Sequence, residues 1–367
     1  MAGAGILSFH RALVEAAHEE GFPLAGAVDI DLAAPFFQEH VHRYDAWLAA
    51  GYEGAMEYLR RGRDRRADPR LLLPGAESVF VVALPYPAVP AGTLDVTKGP
   101  RYARYLRRND YHGEIAARLE RVMKRVVDGG AAPDGLSWKV CVDTSAVLER
   151  AWALLAGLGW IGKNSLLIHP QHGSYLFLGE VLLTSKTGQG PRLLPNYCGN
   201  CERCLRACPT NALIEPGVLA ANRCIAYWTL EKRGELMLDG RDRAAMGTWI
   251  AGCDICQEVC PFNSKAARAA ETAPPPDDRE NGALALGTWQ ALLEETEAGY
   301  KDRIRDSALS RVKPAQFRRN LALALTNAIP SFSSAVKEKI KPLIERKLQA
   351  EPDEAVRREW SACLKAL

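Results

Sequence analysis

The chain has 367 residues, enough for two or three domains, and is 47% hydrophobic and 25% charged, which implies a globular, soluble protein. No apolar run approaches the about 18 residues of a membrane span. A net charge of +3 argues neither for nor against a nucleic-acid partner.

In chain order, residues 1–21 read as a short amphipathic helix of mixed charge, without the apolar region or cleavage site of a signal peptide. A cytoplasmic protein is expected. Residues 1–190 are expected to form one α/β (α+β) domain. Strand-like apolar runs fall at 78–86, 138–143, 165–168 and 174–183, with helical patterns at 111–129 and 144–157. Residues 87–93 and 129–135 are loops by their Gly/Pro content. Gly157-Leu158-Gly159-Trp160-Ile161-Gly162 matches G-x-G-x-x-G, but a helix precedes it and an extended run follows, the reverse of a dinucleotide fingerprint. It also nearly fits a phosphate-binding loop, yet Asn164 stands where Ser or Thr should be. A glycine-rich turn that lets two backbones approach closely is the simpler reading.

Residues 191–265 hold eight of the ten cysteines. One run is Cys198-x2-Cys201-x2-Cys204-x3-Cys208-Pro209. The other is Cys224, then Cys253-x2-Cys256-x3-Cys260-Pro261. A cubic [4Fe–4S] cluster needs four thiolates, and cysteines at every third position of a tight loop supply three. In two-cluster ferredoxins the last cysteine of each run serves the other cluster. One cluster would then take Cys198, Cys201, Cys204 and Cys260, and the second Cys208, Cys253 and Cys256, with Cys224 as its fourth ligand. Four-cysteine zinc sites also use C-x2-C pairs, but the triple spacing and the prolines disfavour them. Disulfides suit small secreted frameworks, not this chain. Cys141 and Cys363 read as ordinary thiols. A proline-rich linker (266–282) follows, and residues 284–367 read as consecutive amphipathic helices of HEAT type.

Residues 142–183 (VDTSAVLERAWALLAGLGWIGKNSLLIHPQHGSYLFLGEVLL), followed by CGNCERCLRACPTNAL (198–213) and CDICQEVCPFN (253–263), resemble the epoxyqueuosine reductases, cobalamin-dependent iron–sulfur enzymes of tRNA modification. Residues 47–59, 66–86 and 224–234 share the likeness, which covers roughly residues 40–265. It implies reduction of an epoxide on the modified wobble base to an alkene, using a reduced corrinoid fed by two [4Fe–4S] clusters. The expected architecture is a cobalamin-binding domain (1–190), a ferredoxin-like segment (191–265) and a HEAT-like helical domain (284–367).

By the resemblance, Asp143 is the proton donor. On the sequence alone, an Asp between a strand and a helix is a good helix N-cap. An acid working near neutral pH must retain its proton, through burial or a hydrogen bond to its neutral form. Asp110 and Tyr111 match a second family motif beside the substrate, where a solvated helix start is the bland alternative. Asp110-Tyr111-His112-Gly113-Glu114-Ile115 approaches the D-x-H-x-x-G of proteins that ligate cobalt through histidine, but Ile115 replaces the last glycine. His112 is therefore not assigned to cobalt, and a base-off corrinoid is implied. Ala103 falls at the position facing cobalt and offers no side-chain ligand. Arg66, Leu167, Leu178, Ala226 and Asp254, with Asp143, match corrinoid-contacting positions.

Lys232 and Arg233 match a tRNA-contacting segment. Further positive charge crowds Arg60–Arg70, Arg101–Arg108 and Arg303–Arg319, although charge runs are usually solvated faces. The implied partners are a tRNA anticodon stem-loop carrying epoxyqueuosine and an electron donor that the sequence does not identify. No membrane is involved, and a monomer is expected. Two other readings are a corrinoid reductase of a small molecule, akin to reductive dehalogenases, and a ferredoxin-like electron carrier with an accessory domain.

Overall fold

The computed structural model describes residues 2–86, 99–107, 109–264 and 288–367. The loop 87–93, Arg108, the linker 266–282 and residues 284–287 lie outside the described residues.

Continuous β-branched and aromatic runs form strands here because both of their faces are covered. Among the described residues, seven strands precede the cysteine segment: β1 (Leu24–Asp29), β2 (Ser78–Pro85), β3 (Arg101–Tyr102), β4 (Trp138–Cys141), β5 (Trp160–Ile161), β6 (Leu167–Ile168) and β7 (Leu176–Leu183). Four of them make one sheet in the order β1-β2-β7-β4, antiparallel at every pairing. The domain is therefore α+β, with no βαβ crossover in the sheet. Phe80, Val82, Phe177, Val181 and Leu183 face one apolar layer, closed by helices Ala2–Glu19 and Tyr111–Asp128. Val79, Val81, Ala83 and Leu182 face the other, closed by helices Ile30–Ala49 and Glu149–Leu155. Helix Tyr111–Asp128 buries Ile115, Leu119, Val122 and Val126, spaced as one helical face.

The sequence differs from this in several places. Strand β1 was not foreseen. The run 165–168 is a strand only at Leu167–Ile168, in a short ribbon with Trp160–Ile161. The helix expected from residue 144 starts at Glu149. The glycine-rich stretch does let backbones meet, since a Cβ on Gly159 would lie 2.4 Å from the Ile168 carbonyl oxygen.

In the cysteine segment, β8 (Leu213–Glu215) and β9 (Val218–Leu219) form a ribbon, and β10 (Trp249–Ala251) pairs in parallel with β3. That pairing moors the cysteines to the sheet domain. Arg101 reinforces it by stacking 3.9 Å over the Trp249 ring and bonding Glu258 at 2.8 Å.

Helices Trp289–Glu294, Glu297–Ile304, Pro314–Ala328, Ser334–Ala350 and Glu354–Lys365 follow. Thr288, Thr296, Ser333 and Asp353 cap four of them by accepting backbone N–H groups. Their core, around Leu321, Leu325 and Trp360, also takes in Tyr102, Leu106, Ile250 and Ala251, so the helices share one apolar interior with the preceding segments.

Candidate active site

Asp143 follows β4 and sits at φ +47°, a left-handed conformation uncommon for a non-glycine residue. Its own N–H donates to Glu149 Oε1 at 2.6 Å, while Thr144 N–H turns back to the Val142 carbonyl. It caps no helix: Leu148 holds the N-cap position before Glu149–Leu155. The capping alternative is thereby overturned, and a strained turn aims the carboxylate at another element.

That element is helix Tyr111–Asp128. Asp110 is its N-cap and accepts the His112 N–H at 3.0 Å. His112 Nδ1 bonds the Asp110 carboxylate, and its Nε2 bonds Asp143 Oδ2 at 3.0 Å. The result is a chain Asp110–His112–Asp143 with the imidazole between two carboxylates. The bond to Asp143 foremost, against the opposing effect of burial, raises the His112 pKa to about 8. Burial pushes the Asp143 carboxyl up, but His112, Arg311 and Arg150 outweigh it and hold it below the ordinary range. An acid at this site near neutral pH thus carries its proton on His112 rather than on Asp143. Of the Asp143 side chain, 43% remains accessible, so a reacting group can reach it.

Tyr111 stacks on Phe177 at 3.9 Å between ring centroids and meets Tyr105 edge-on. Burial, then the charge of Asp143, pushes its phenol far up, so it stays a neutral donor. The helical domain closes this side: Asp110 N–H donates to the Asp306 carbonyl at 2.7 Å, and Asn109 bridges to Ser307. Arg311, paired with Glu231, bears on Asp143, Tyr105 and Tyr111. Sequence reasoning gave no role to His112, Glu149 or Glu180, and read Arg311 only as part of a basic run. Of these, only Glu180 carried a local signal, as the single charge within an apolar strand run.

All eight array cysteines are free of disulfides. Cys260 stands against Cys198 and Cys201, and Cys204 against Cys198 and Cys260. Cys253 lies within electrostatic reach of Cys224 and Cys256, and Cys256 within that of Cys224, Cys208 and Cys204. Burial pushes the thiols of Cys224, Cys253, Cys256 and Cys260 up, which a bound cationic iron core would reverse. Trp160 Nε1–H donates to Cys198 Sγ at 3.5 Å, and Ala212 N–H to Cys208 Sγ at 3.3 Å. Among the described residues, no three His, Cys, Asp or Glu side chains are gathered tightly enough to hold one metal ion.

The other singled-out residues scatter around this centre. Arg66 is 8% exposed and its buried Nη1 has no hydrogen-bond partner. Asp254 is buried, accepting the Arg104 backbone N–H at 2.7 Å, and burial raises its carboxyl to about 6. Ala103 is also buried, its Cβ packed against Gly252, so its side chain does not line an open surface. Leu167 is buried, whereas Leu178 and Ala226 are half-buried. Lys232 is half-buried and Arg233 exposed.

Part of each basic run is paired within the fold, while Arg60, Arg61, Arg65 and Arg305 remain exposed. Arg60 pairs with Glu53, Arg63 with Asp45, Arg70 with Asp31, Arg303 with Glu295 and Arg318 with Glu351. Arg319 is 1% exposed.

A family model described as "4Fe-4S double cluster binding domain" matches residues 197–263. Fold and site together define an iron–sulfur oxidoreductase with two clusters. A second family model, "Epoxyqueuosine reductase QueG, DUF1730", matches residues 66–144. An epoxyqueuosine reductase of Synechococcus sp. (strain CC9605) is 39% identical over 324 residues, covering 88% of this chain and 96% of that one. One of Synechocystis sp. is 40% identical over 284 residues, covering 77% and 94%. Among solved structures, an epoxyqueuosine reductase with a tRNA-Tyr epoxyqueuosine-modified stem loop aligns at TM-score 0.75 and 25% identity, over 99% of each chain. The chain belongs to the epoxyqueuosine reductase family. Among the described residues, no helix is long and apolar enough to cross a membrane.

Proposed function

We propose that the protein reduces the epoxide of epoxyqueuosine, at the wobble position of a tRNA, to the alkene of queuosine. The closing step of queuosine synthesis consumes two electrons and two protons and releases water. One observation carries the reading: a proton-holding chain, Asp110–His112–Asp143, stands beside a cysteine segment moored to the same domain through β3 and β10.

We assign Cys198, Cys201, Cys204 and Cys260 to one [4Fe–4S] cluster and Cys208, Cys224, Cys253 and Cys256 to the other. The neighbour relations among their thiols support this grouping. Cobalamin fits the residues present. The partnerless buried Nη1 of Arg66 suits an amide or phosphate oxygen of the corrinoid. Leu178 and Ala226 offer half-buried apolar contact, backed by Leu167, and Asp254 holds the backbone beside Ala103, which provides no ligand. When bound, cobalamin supplies the reactive reduced metal and the clusters supply the single electrons that reduce it.

The chain's own residues handle the protons. His112 holds one at Nε2 against Asp143 Oδ2, and Asp143 hands it to the oxygen released from the opening epoxide. Tyr111, neutral and stacked, orients the ring beside it. A flipped wobble base has aromatic groups on which to stack, and Lys232 and Arg233 approach the phosphates. The helical domain, HEAT-like in this reading, braces the site. A monomer in the cytoplasm fits the absence of any membrane requirement.

The test is an anaerobic reaction of reconstituted protein, chemical reductant and an epoxide-bearing anticodon stem-loop, with and without cobalamin, read by nucleoside mass spectrometry. Loss of one oxygen only when cobalamin is present is expected. No conversion by fully loaded protein would contradict the reading and favour a small-molecule substrate.

A further inference from the structure

Glu180 is the single charged residue of β7. It is 0% exposed, and neither carboxyl oxygen has a hydrogen-bond partner. Its register partners are Val81 on β2 and Cys141 on β4. Val81 and Cys141 belong to the apolar layer beneath helix Glu149–Leu155. An ionised carboxylate without partners is strongly disfavoured there, so the group stays neutral. The charges that bear on it are Glu149 and then Asp143, and both push its pKa further up. Cys141, the nearest titratable neighbour on β4, stays a thiol, its pKa raised to about 11 chiefly by burial.

Glu149 links this carboxyl to the site. Its Oε1 accepts the Asp143 N–H at 2.6 Å. Burial, then Asp143, raises it to about 7, with Arg150 and His112 acting the other way. The charge of either carboxylate would disfavour ionisation of the other. A packed apolar residue would serve stability at least as well as an unpartnered Glu180, so its presence calls for a chemical use.

We propose that Glu149 and Glu180 form a buried proton store behind Asp143, positioning residues that refill it after it has given up its first proton. The O–H bond of the Glu149 carboxyl breaks, and the proton passes to the Asp143 carboxylate. Glu149 is left ionised and recovers a proton from solvent at its half-exposed edge, while Glu180 stays neutral and keeps the pair reluctant to ionise. No electron moves in this step. With one proton on the His112–Asp143 pair and one in the store, both protons the reduction consumes are on the protein before the electrons arrive. The inference rests on the reading of Asp143 as the site's proton donor.

Infrared difference spectra of the cluster-loaded protein at neutral pH test the store without turnover. The carbonyl stretch of a protonated, hydrogen-bond-free carboxyl should be present in the wild type and absent from Glu180→Gln. Its absence from the wild type would overturn the proposal. Single-turnover rates over pH then test its use. Glu149→Gln and Glu180→Gln should each slow turnover about tenfold or more, with stem-loop affinity unchanged and a displaced high-pH limb. A wild-type rate and profile in both would overturn it. Asp143→Asn run in parallel separates the two claims: full activity there removes the acid reading, whereas loss there with normal Glu149→Gln removes only the store. Glu180→Leu guards against misfolding, since a folded but slow Glu180→Leu still supports the store and a folded, fully active one contradicts it.

Discussion

At the residue scale, His112 sets the pH dependence. Its imidazolium is the proton carrier, and the carboxylates of Asp143 and Asp110 raise its pKa to about 8. Turnover should fall as pH rises through about 8, because the carrier is then empty. The same group contributes to stability with the same sign. Its folded value exceeds the unfolded one of about 6.5, so the contribution is full below that value and is lost as pH rises through the folded one. His112→Gln should lower the single-turnover rate on the order of a hundredfold, abolish the high-pH limb and leave the cluster absorbance unchanged. A variant retaining that limb would place the titrating group elsewhere. The role of His112 was not legible in the chain, because the pairing joins residues 31 positions apart. Asp143 was legible as a candidate, but its protonation was not: local sequence carries neither Arg311 nor the left-handed turn.

At the scale of elements, the ribbon of β3 and β10 ties the cysteine segment to the sheet domain. Gly252 follows β10 at φ +68°, and a Cβ there would lie 2.4 Å from Ala103 Cβ. Gly252→Val should therefore lower the melting temperature by several degrees and speed loss of the clusters in air, since the strained backbone and the clash both fall on the joint. An unchanged melt would show that the joint tolerates separation. Strands β2, β4 and β7 and helix Tyr111–Asp128 could be read directly, because long apolar runs and a clean helical face are local signals. Strand β1 (LAGAVD) escaped because its small residues show no alternation. The helix at 144–157 was overdrawn because its leucines and alanines favour helix, while Thr144 and Ser145 are drawn into the turn that shapes Asp143. Sheet order is set by pairing between distant strands, which no single segment reveals.

At the scale of the whole molecule, the helical domain acts as a brace. Arg319 donates to the carbonyls of Trp228 at 2.7 Å and Lys232 at 2.9 Å, and Asn320 to those of Thr229 and Ile250. Of the arginines at 303–319, read in sequence as a candidate nucleic-acid surface, Arg311 and Arg319 bond the segment that carries Lys232 and Arg233, whereas Arg303 and Arg318 pair with Glu295 and Glu351. Composition alone cannot separate these uses, because both place cations on amphipathic helices. Arg319→Leu strips several buried carbonyls of their donors, and should cost on the order of 3 kcal/mol. It should also weaken stem-loop binding while leaving the corrinoid affinity intact, as thermal melts and binding titrations would register. Equal loss of both affinities would point instead to global unfolding.

The central claim is that this chain removes the epoxide oxygen at a site where Asp143 delivers the proton. The most direct test is anaerobic single turnover of an epoxide-bearing stem-loop by wild-type and Asp143→Asn protein. Both would carry spectroscopically verified clusters and corrinoid, and mass spectrometry would count oxygen loss. The account predicts one oxygen lost per site in the wild type and a rate lower by about two orders of magnitude or more in Asp143→Asn. Equal rates in the two proteins would contradict it.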